Sequence, residues 1–279
     1  MSKGVLLFAS NNGMVDYVKQ ANYLALRIRK YLDLPTTLVT DVDVKNKFPK
    51  YVESFDNIIL TESVTNLSNK RYHDGSLSNR VLPFKNANRA DAYELSPYDE
   101  TLVMDTDYII SNNVLNQCFV QQKDLLLYKD AVHIGTIDHA PEFKTISDTS
   151  VDFYWATVFF FRKTELNKIF FDLIKHIKEN YWHYRNIYQF KTPVYRNDFA
   201  FSIAIHIMNG YQKGNFAGIL PGKKFYAIDK DVLHSIKDDE IKILVEKQGR
   251  LGEYIAVNLK GSNVHIMNKF SLERAIDDQ

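Results

Sequence analysis

The alternation of strands and helices predicts an α/β fold with a mixed, mostly parallel central sheet flanked by helices. Three observations carry that expectation. Short apolar runs rich in Val, Ile, Leu and Thr recur through the chain, and segments with helical apolar spacing separate them. One run, TLVMDTD, ends on two carboxylates, Asp105 and Asp107. In open sheets of this kind, ligands bind outside the carboxyl ends of the strands, which is where this pair falls.

The elements follow in order. VLLFAS (5–10) reads as a first strand, then a polar turn and a helix near Val15–Tyr31. TTLVTD (36–41) and NIILTE (57–62) read as the next two strands. Ser63–Asn79 is polar and reads as a long loop. A short helix covers 87–95 before the Ser96-Pro97 break and the TLVMD strand. VHIGTI (132–137) and ATVFFF (156–161) are later strands. Leu166–Tyr181 has helical spacing at Ile169, Phe170, Leu173, Ile174 and Ile177. Asp198–Met208 reads as a further helix, and the tail is charged. Nothing marks a domain boundary or a repeat, so 1–279 is expected to be one domain.

Composition sets the background. Of 279 residues, 45% are apolar and 25% charged, which suits a soluble protein with a sizeable core. The lone cysteine, Cys118, excludes a disulfide framework, and no Cys/His cluster has structural-zinc spacing. The opening MSKGVLLFAS turns polar too soon for a signal peptide, and TVFFF meets Arg162 and Lys163 before reaching membrane-spanning length. A reducing cytoplasm is the expected compartment (the host's, for a viral protein), with no membrane partner. The net charge of +1 is uneven. Residues 160–226 hold eleven Lys/Arg against four Asp/Glu, a balance of +7 that leaves −6 elsewhere. Tyr181, Trp182, Tyr184, Tyr188, Phe190, Tyr195 and Phe199 are interleaved there. That mixture fits either a phosphate-bearing or single-stranded nucleic-acid partner, or a solvated helix face above an aromatic-lined core.

Other chemistries lack their motifs. No glycine-rich phosphate loop and no G-x-S-x-G elbow occurs, and nothing marks Cys118 as a nucleophile. Asp138-His139 either lines the site or is polar surface. Asp41 and Asp43, after a strand end, either meet a nucleoside or face water. Carboxylates at the end of a buried strand are costly unless compensated. Two of them one residue apart can share a divalent cation and leave positions for a diphosphate.

The block RADAYELSPYDETLVMDTD (89–107) resembles the metal-binding core of GT-A glycosyltransferases, especially the glycogenin-like group. Arg89, Tyr93, Tyr98, Asp105 and Asp107 fit its places, with Arg89 where the family has Lys. YWATVFFFRKTE (154–165) is similar to the family strand FNxGVFVY, but Trp155 and Thr157 replace its Asn and Gly. In YRNDFAF (195–201), Asp198 matches a family Asp-Gln and Phe199 does not. NVHIMNK (263–269) resembles the segment that supplies a third metal ligand, His265, and a phosphate-binding lysine, Lys269, at a shorter spacing and without the family's Gly.

The resemblance implies a single GT-A-like, Rossmann-like domain that binds a nucleotide-sugar donor, a UDP-sugar, through Mn²⁺ or Mg²⁺. Residues 1–110 would form the donor half. Residues 111–279 would form the acceptor half, with a C-terminal segment closing the metal site. Asp105, Asp107 and His265 would hold the metal, while Arg89 and Lys269 would neutralise phosphate. A core histidine is the alternative for His265, and a helix cap is compatible with Asp198 at the reacting centre. Ser10, Asn11 and Tyr17 follow the first strand and are placed to meet the nucleoside, Tyr17 by stacking, or else form an ordinary turn. The compact chain with Trp155 and Phe199 also resembles small sugar transferases of large tailed phages that decorate hydroxymethylated bases in DNA. The expected acceptor is therefore hydroxymethylated cytosine, flipped from the duplex and held by Trp155, Tyr184 or Tyr188. Glycan or protein acceptors, a nucleotidyltransferase, and a non-catalytic nucleotide-sugar or nucleic-acid binding protein are the alternatives.

Overall fold

The computed structural model describes residues 1–62, 68–85, 88–135, 144–147, 151–192 and 194–279. In chain order, β1 (Lys3–Phe8), α1 (Tyr17–Tyr31), β2 (Thr36–Thr40), α2 (Val44–Lys47) and β3 (Asn57–Leu60) lead to a ribbon of β4 (Ser68–His73) and β5 (Asn79–Phe84). A 3-10 turn at Arg89–Asp91 and α3 (Ala92–Leu95) precede β6 (Glu100–Met104) and β7 (Tyr108–Ile109). Next come β8 (Leu125–Tyr128), β9 (Ala131–His133), β10 (Thr145–Ile146), β11 (Val151–Asp152) and β12 (Trp155–Arg162). Three helices follow, α4 (Glu165–Glu179), α5 (Tyr181–Tyr188) and α6 (Asn197–Met208). The C-terminal part comprises β13 (Gly218–Ile219), β14 (Lys224–Ala227), β15 (Val232–Lys237), β16 (Glu240–Glu246), β17 (Tyr254–Lys260), β18 (Val264–Ile266) and α7 (Lys269–Asp277).

The central sheet has seven strands in the order β13-β8-β12-β6-β1-β2-β3. Its pairs are parallel except at β12, which runs antiparallel to both β6 and β8. This is the mixed, mostly parallel α/β sheet expected from the sequence. Strands β1, β6 and β12 read as nearly continuous apolar runs because both of their faces are covered. Phe159 and Phe161 of β12 pack on Phe171 and Phe201 of α4 and α6, with centroid separations down to 4.9 Å. A second, four-stranded sheet in the order β7-β18-β14-β9 lies beyond the carboxyl end of β6.

Several expectations are corrected. The polar stretch read as a loop holds β4, paired with β5; residues 63–67 lie outside those described. Its alternation was masked because the ribbon turns mainly Tyr72 and Leu82 inward and leaves its Lys, Arg and Asn exposed. The helix expected over Leu166–Tyr181 breaks at Asn180, whose side chain donates to the His176 carbonyl at 2.9 Å, and α5 starts anew. VHIGTI forms a strand only through His133; residues 136–137 lie outside those described. The charged tail forms α7, and β15–β17 form an antiparallel meander that was not anticipated. Among the described residues, no helix is long and apolar enough to cross a membrane.

Candidate active site

Asp105-Thr106-Asp107 forms the tight turn that carries the chain from the central sheet into the second one. The Asp105 N–H donates to the Thr157 carbonyl on β12 at 2.9 Å, and the Tyr108 N–H closes the turn onto the Asp105 carbonyl at 3.1 Å. Strand β7 then pairs antiparallel with β18, setting His265 opposite Tyr108. The Ile266 N–H donates to the Asp107 carbonyl at 2.9 Å, so the C-terminal segment is fastened to the turn by its backbone. Lys269 is the first residue of α7, where the Asn268 side chain caps the helix by accepting from the Ser271 N–H at 3.0 Å.

These supports bring the charged side chains together. Asp105, Asp107 and His265 each offer one ligand atom, and the three atoms lie within 4.8 Å of one another. Asp107 Oδ2 also accepts from Lys269 Nζ and lies 3.0 Å from His265 Nε2. Arg89, from the 3-10 turn before α3, pairs with Asp105. Burial works against an ionised Asp107, but the Lys269 ammonium and a hydrogen bond from the neutral His265 ring hold its carboxyl below the ordinary range. Burial lowers His265 to about 4, against the pull of Asp107. The imidazole is thus neutral at physiological pH, the form that binds a metal. Two carboxylate oxygens and a neutral imidazole could hold a divalent metal ion, with the cationic side chains of Arg89 and Lys269 beside it.

Asp198 is not a helix cap: Arg196 holds that position, and Asp198 lies in the first turn of α6. One Asp198 oxygen accepts from the Ala156 N–H at 2.8 Å and the other from Arg196 at 2.7 Å. Burial raises its carboxyl, yet Arg196 and the Ala156 N–H leave it below its ordinary value. Beneath this wall, Lys224 is 1% exposed and its Nζ has no hydrogen-bond partner among the described residues. That nitrogen lies 5.0 Å from the Trp155 ring and 5.9 Å from the Tyr108 ring. Burial pulls the amine down to about 7, although Asp198 and Asp107 favour its charge.

Asp105, Asp107, His265, Arg196 and Asp198 face one cleft of about 1510 Å³, which Lys224 does not line. Ligand pockets typically hold about 300–1,000 Å³, so the cleft has room for more than one small ligand. Arg89, Asp105, Asp107, Asp198, His265 and Lys269 line it, as do Tyr17 and Trp155. Tyr17 is nearly buried, and its hydroxyl donates to that of Tyr72 at 3.1 Å.

Other expected site residues lie apart. Asn11 builds the entry to α1 by accepting from the Val18 N–H and donating to Asp16, while Ser10 is not among the cleft-lining residues. Asp41 pairs with Lys85 at 3.2 Å, and Asp43 caps α2. Tyr184 and Tyr188 stack on each other on α5, away from the cleft lining. Tyr181, Tyr188 and Phe190 are buried, so these aromatics of the basic segment line the core rather than a groove. Asp138-His139 lies outside the described residues.

Sequence reasoning passed over Arg196, Lys224 and the cleft-facing pair of His133 with Asp231. Lys224 carried a signal, as a lysine inside the strand KFYA. The other partnerships depend on chain crossings that no local pattern records.

No protein-family model and no curated protein matches the chain. Solved structures that match include the glycosyltransferase GlyE of Streptococcus pneumoniae TIGR4 (12% identity, covering 79% of this chain and 45% of that one, TM-score 0.45). The galactosyltransferase LgtC with donor and acceptor sugar analogs is 10% identical, with 77% and 72% covered and a TM-score of 0.46. Mouse xyloside xylosyltransferase 1 is also 10% identical, with 79% and 85% covered and a TM-score of 0.46. The chain thus spans less than half the length of GlyE. With TM-scores below 0.5, these likenesses leave the functional argument to the site itself.

Proposed function

We propose that this chain is a metal-dependent glycosyltransferase that moves a sugar from a UDP-sugar to an acceptor hydroxyl. The observation that carries this reading is the Asp105–Asp107–His265 set, with Lys269 and Arg89 beside it, on the wall of a cleft large enough for two substrates. A glycosyl donor departs as a nucleoside diphosphate, so negative charge grows on the diphosphate as the glycosidic bond breaks. A bound divalent metal supplies Lewis-acid stabilisation of that charge. Lys269 and Arg89 add fixed positive charge at the same place, which needs no reorganisation during the reaction. Asp198, locked by Arg196 and the Ala156 N–H, is the carboxylate available to orient the transferred sugar. In this reading residues 1–110 serve mainly the donor and 111–279 mainly the acceptor, with two exceptions: the C-terminal segment closes the metal site through His265 and Lys269, and the hairpin of β4 and β5 faces the acceptor.

For the acceptor we infer hydroxymethylated cytosine in DNA, on a different footing from the aromatics of α5. Lys70 and Arg71 of the hairpin, Lys230, and Lys247 and Arg250 of the turn after β16 all line the cleft. Lys70 is reached by solvent, but the protein around it, with Lys269 and Arg196, lowers its amine to about 8. Tyr72, Phe84 and Tyr195 line the same space. Cations bordering aromatic walls suit a nucleic-acid strand whose bases stack.

The test is thermal shift against a set of nucleotide-sugars with and without Mn²⁺, followed by product analysis. The true donor stabilises the fold by linkage only when metal is present. Release of nucleoside diphosphate, with transfer to modified DNA, supports the reading. Transfer only to a glycan or protein hydroxyl replaces the acceptor. Pyrophosphate release marks a nucleotidyltransferase, and donor binding without turnover marks a non-catalytic binder.

A further inference from the structure

The four-stranded sheet places a second histidine in line with the metal ligand. His133 on β9 is in register with Tyr226 on β14, and Tyr226 is in register with His265 on β18. Residues in one row of a sheet project from the same face, and all three line the cleft. Adjacent strands lie about 4.8 Å apart, so His133 stands roughly 10 Å from His265 along the sheet. Tyr226 stands between the two histidines in this row, its ring centroid 5.4 Å from that of His133, so a sugar at this wall would lie over Tyr226.

The His133 ring is held from behind. Its Nε2 lies 2.9 Å from Oδ2 of Asp231, whose side chain is fully buried. Asp231 also accepts from the Ile228 N–H at 2.9 Å and the Glu246 N–H at 3.1 Å. A carboxylate that only accepts fixes the hydrogen of the neutral ring on Nε2 and leaves the lone pair on Nδ1. His133 Nδ1 has no hydrogen-bond partner among the described residues, and the ring is partly open to the cleft. An imidazole backed by a buried carboxylate and partly open to a cleft is the arrangement of a general base.

We propose that His133, oriented by Asp231, takes the proton of the acceptor hydroxyl, an assignment that rests on the glycosyltransferase reading above. The acceptor O–H proton passes to His133 Nδ1 as the oxygen bonds to the anomeric carbon of the donor. The bond from that carbon to the diphosphate oxygen breaks, and its electron pair leaves with the nucleoside diphosphate. Asp231 balances the imidazolium, which then loses its proton to water. On the elements packed against β9, the charged groups are Lys224 on β14, Asp229, Lys230 and Asp231 on the turn after it, and Glu246 and Lys247 at the end of β16. Asp231 is the one bonded to the ring.

The experiment compares wild type, His133→Gln and Asp231→Asn over a pH series, with transfer and donor binding measured separately. In wild type, kcat/KM should rise with pH and then level off, the profile of a reaction that needs a general base in its deprotonated form. His133→Gln should lower transfer by about 10²–10⁴-fold and abolish that step. Donor stabilisation by Mn²⁺ and the UDP-sugar should stay as in wild type. Asp231→Asn can donate to Nε2 and force the hydrogen onto Nδ1, so a folded Asp231→Asn protein should lose kcat with little change in KM. Wild-type transfer in His133→Gln, or reduced transfer with the pH step intact, overturns the assignment. An absence of donor turnover in wild type overturns the glycosyltransferase reading itself, and this assignment with it.

Discussion

Lys224→Met should make this protein more stable, and more so in acid than in base. The wild-type amine is buried without a hydrogen-bond partner among the described residues, and burial lowers it from 10.5 to about 7. A lysine depressed in the fold binds fewer protons folded than unfolded, so stability rises with pH between these two values. The penalty is complete below about pH 7 and gone above the unfolded value. At about 1.36 kcal/mol per unit, the shift corresponds to about 5 kcal/mol. The Trp155 ring 5.0 Å from Nζ gives a cation–π attraction worth about 1–2 kcal/mol, which the substitution also removes. Methionine preserves most of the volume and adapts to irregular space. The expected net gain at pH 6 is therefore about 3 kcal/mol, shrinking toward zero near pH 10. Urea unfolding of both proteins at several pH values measures it, because titration of groups that do not feel the Lys224 charge cancels in the difference; Asp198 and His265, both lowered by that charge, add only at lower pH. A Met variant that is less stable at pH 6, or a gain unchanged by pH, would refute the account of Lys224 as an uncompensated buried amine.

Asp107→Ala should abolish metal-dependent donor stabilisation and also cost about 3–5 kcal/mol, because it strands Lys269 beside a buried site. Full transfer in that variant, or in the wild type with EDTA, would remove the metal from the reading. Gly4→Ala should destabilise by about 1–3 kcal/mol, since a Cβ there would lie 2.3 Å from the Tyr98 ring; an unchanged urea midpoint would mean that the ring moves aside freely. Binding of a DNA oligonucleotide should weaken as salt rises, and Arg250→Ala should lower the slope against log salt by about one. An unchanged slope would show that Arg250 meets no phosphate.

The parts of the site visible in the sequence are those that local chemistry writes. Apolar residues, then two carboxylates at a strand end, appear as one short string, and β6 ends at Met104 just before Asp105. His265 and Lys269 were legible only as a resemblance in a short C-terminal segment. Their meeting with Asp107 depends on the pairing of β7 with β18, across more than 150 residues of chain. The basic, aromatic stretch misled because composition cannot tell which face of a helix a ring occupies. On α5, Tyr188 turns inward while Trp182 stays exposed against Arg185.

By itself, then, the sequence determined the α/β class, the central strands and the position of the acidic turn, because apolar periodicity and burial cost act over a few residues. Tertiary structure alone decided which cations balance Asp105 and Asp107, that Lys224 is buried beneath them, and that Asp231 stands behind His133. Each of these follows from strands distant in sequence falling into one register. A row of side chains across a sheet is a property of the pairing and not of any strand read alone.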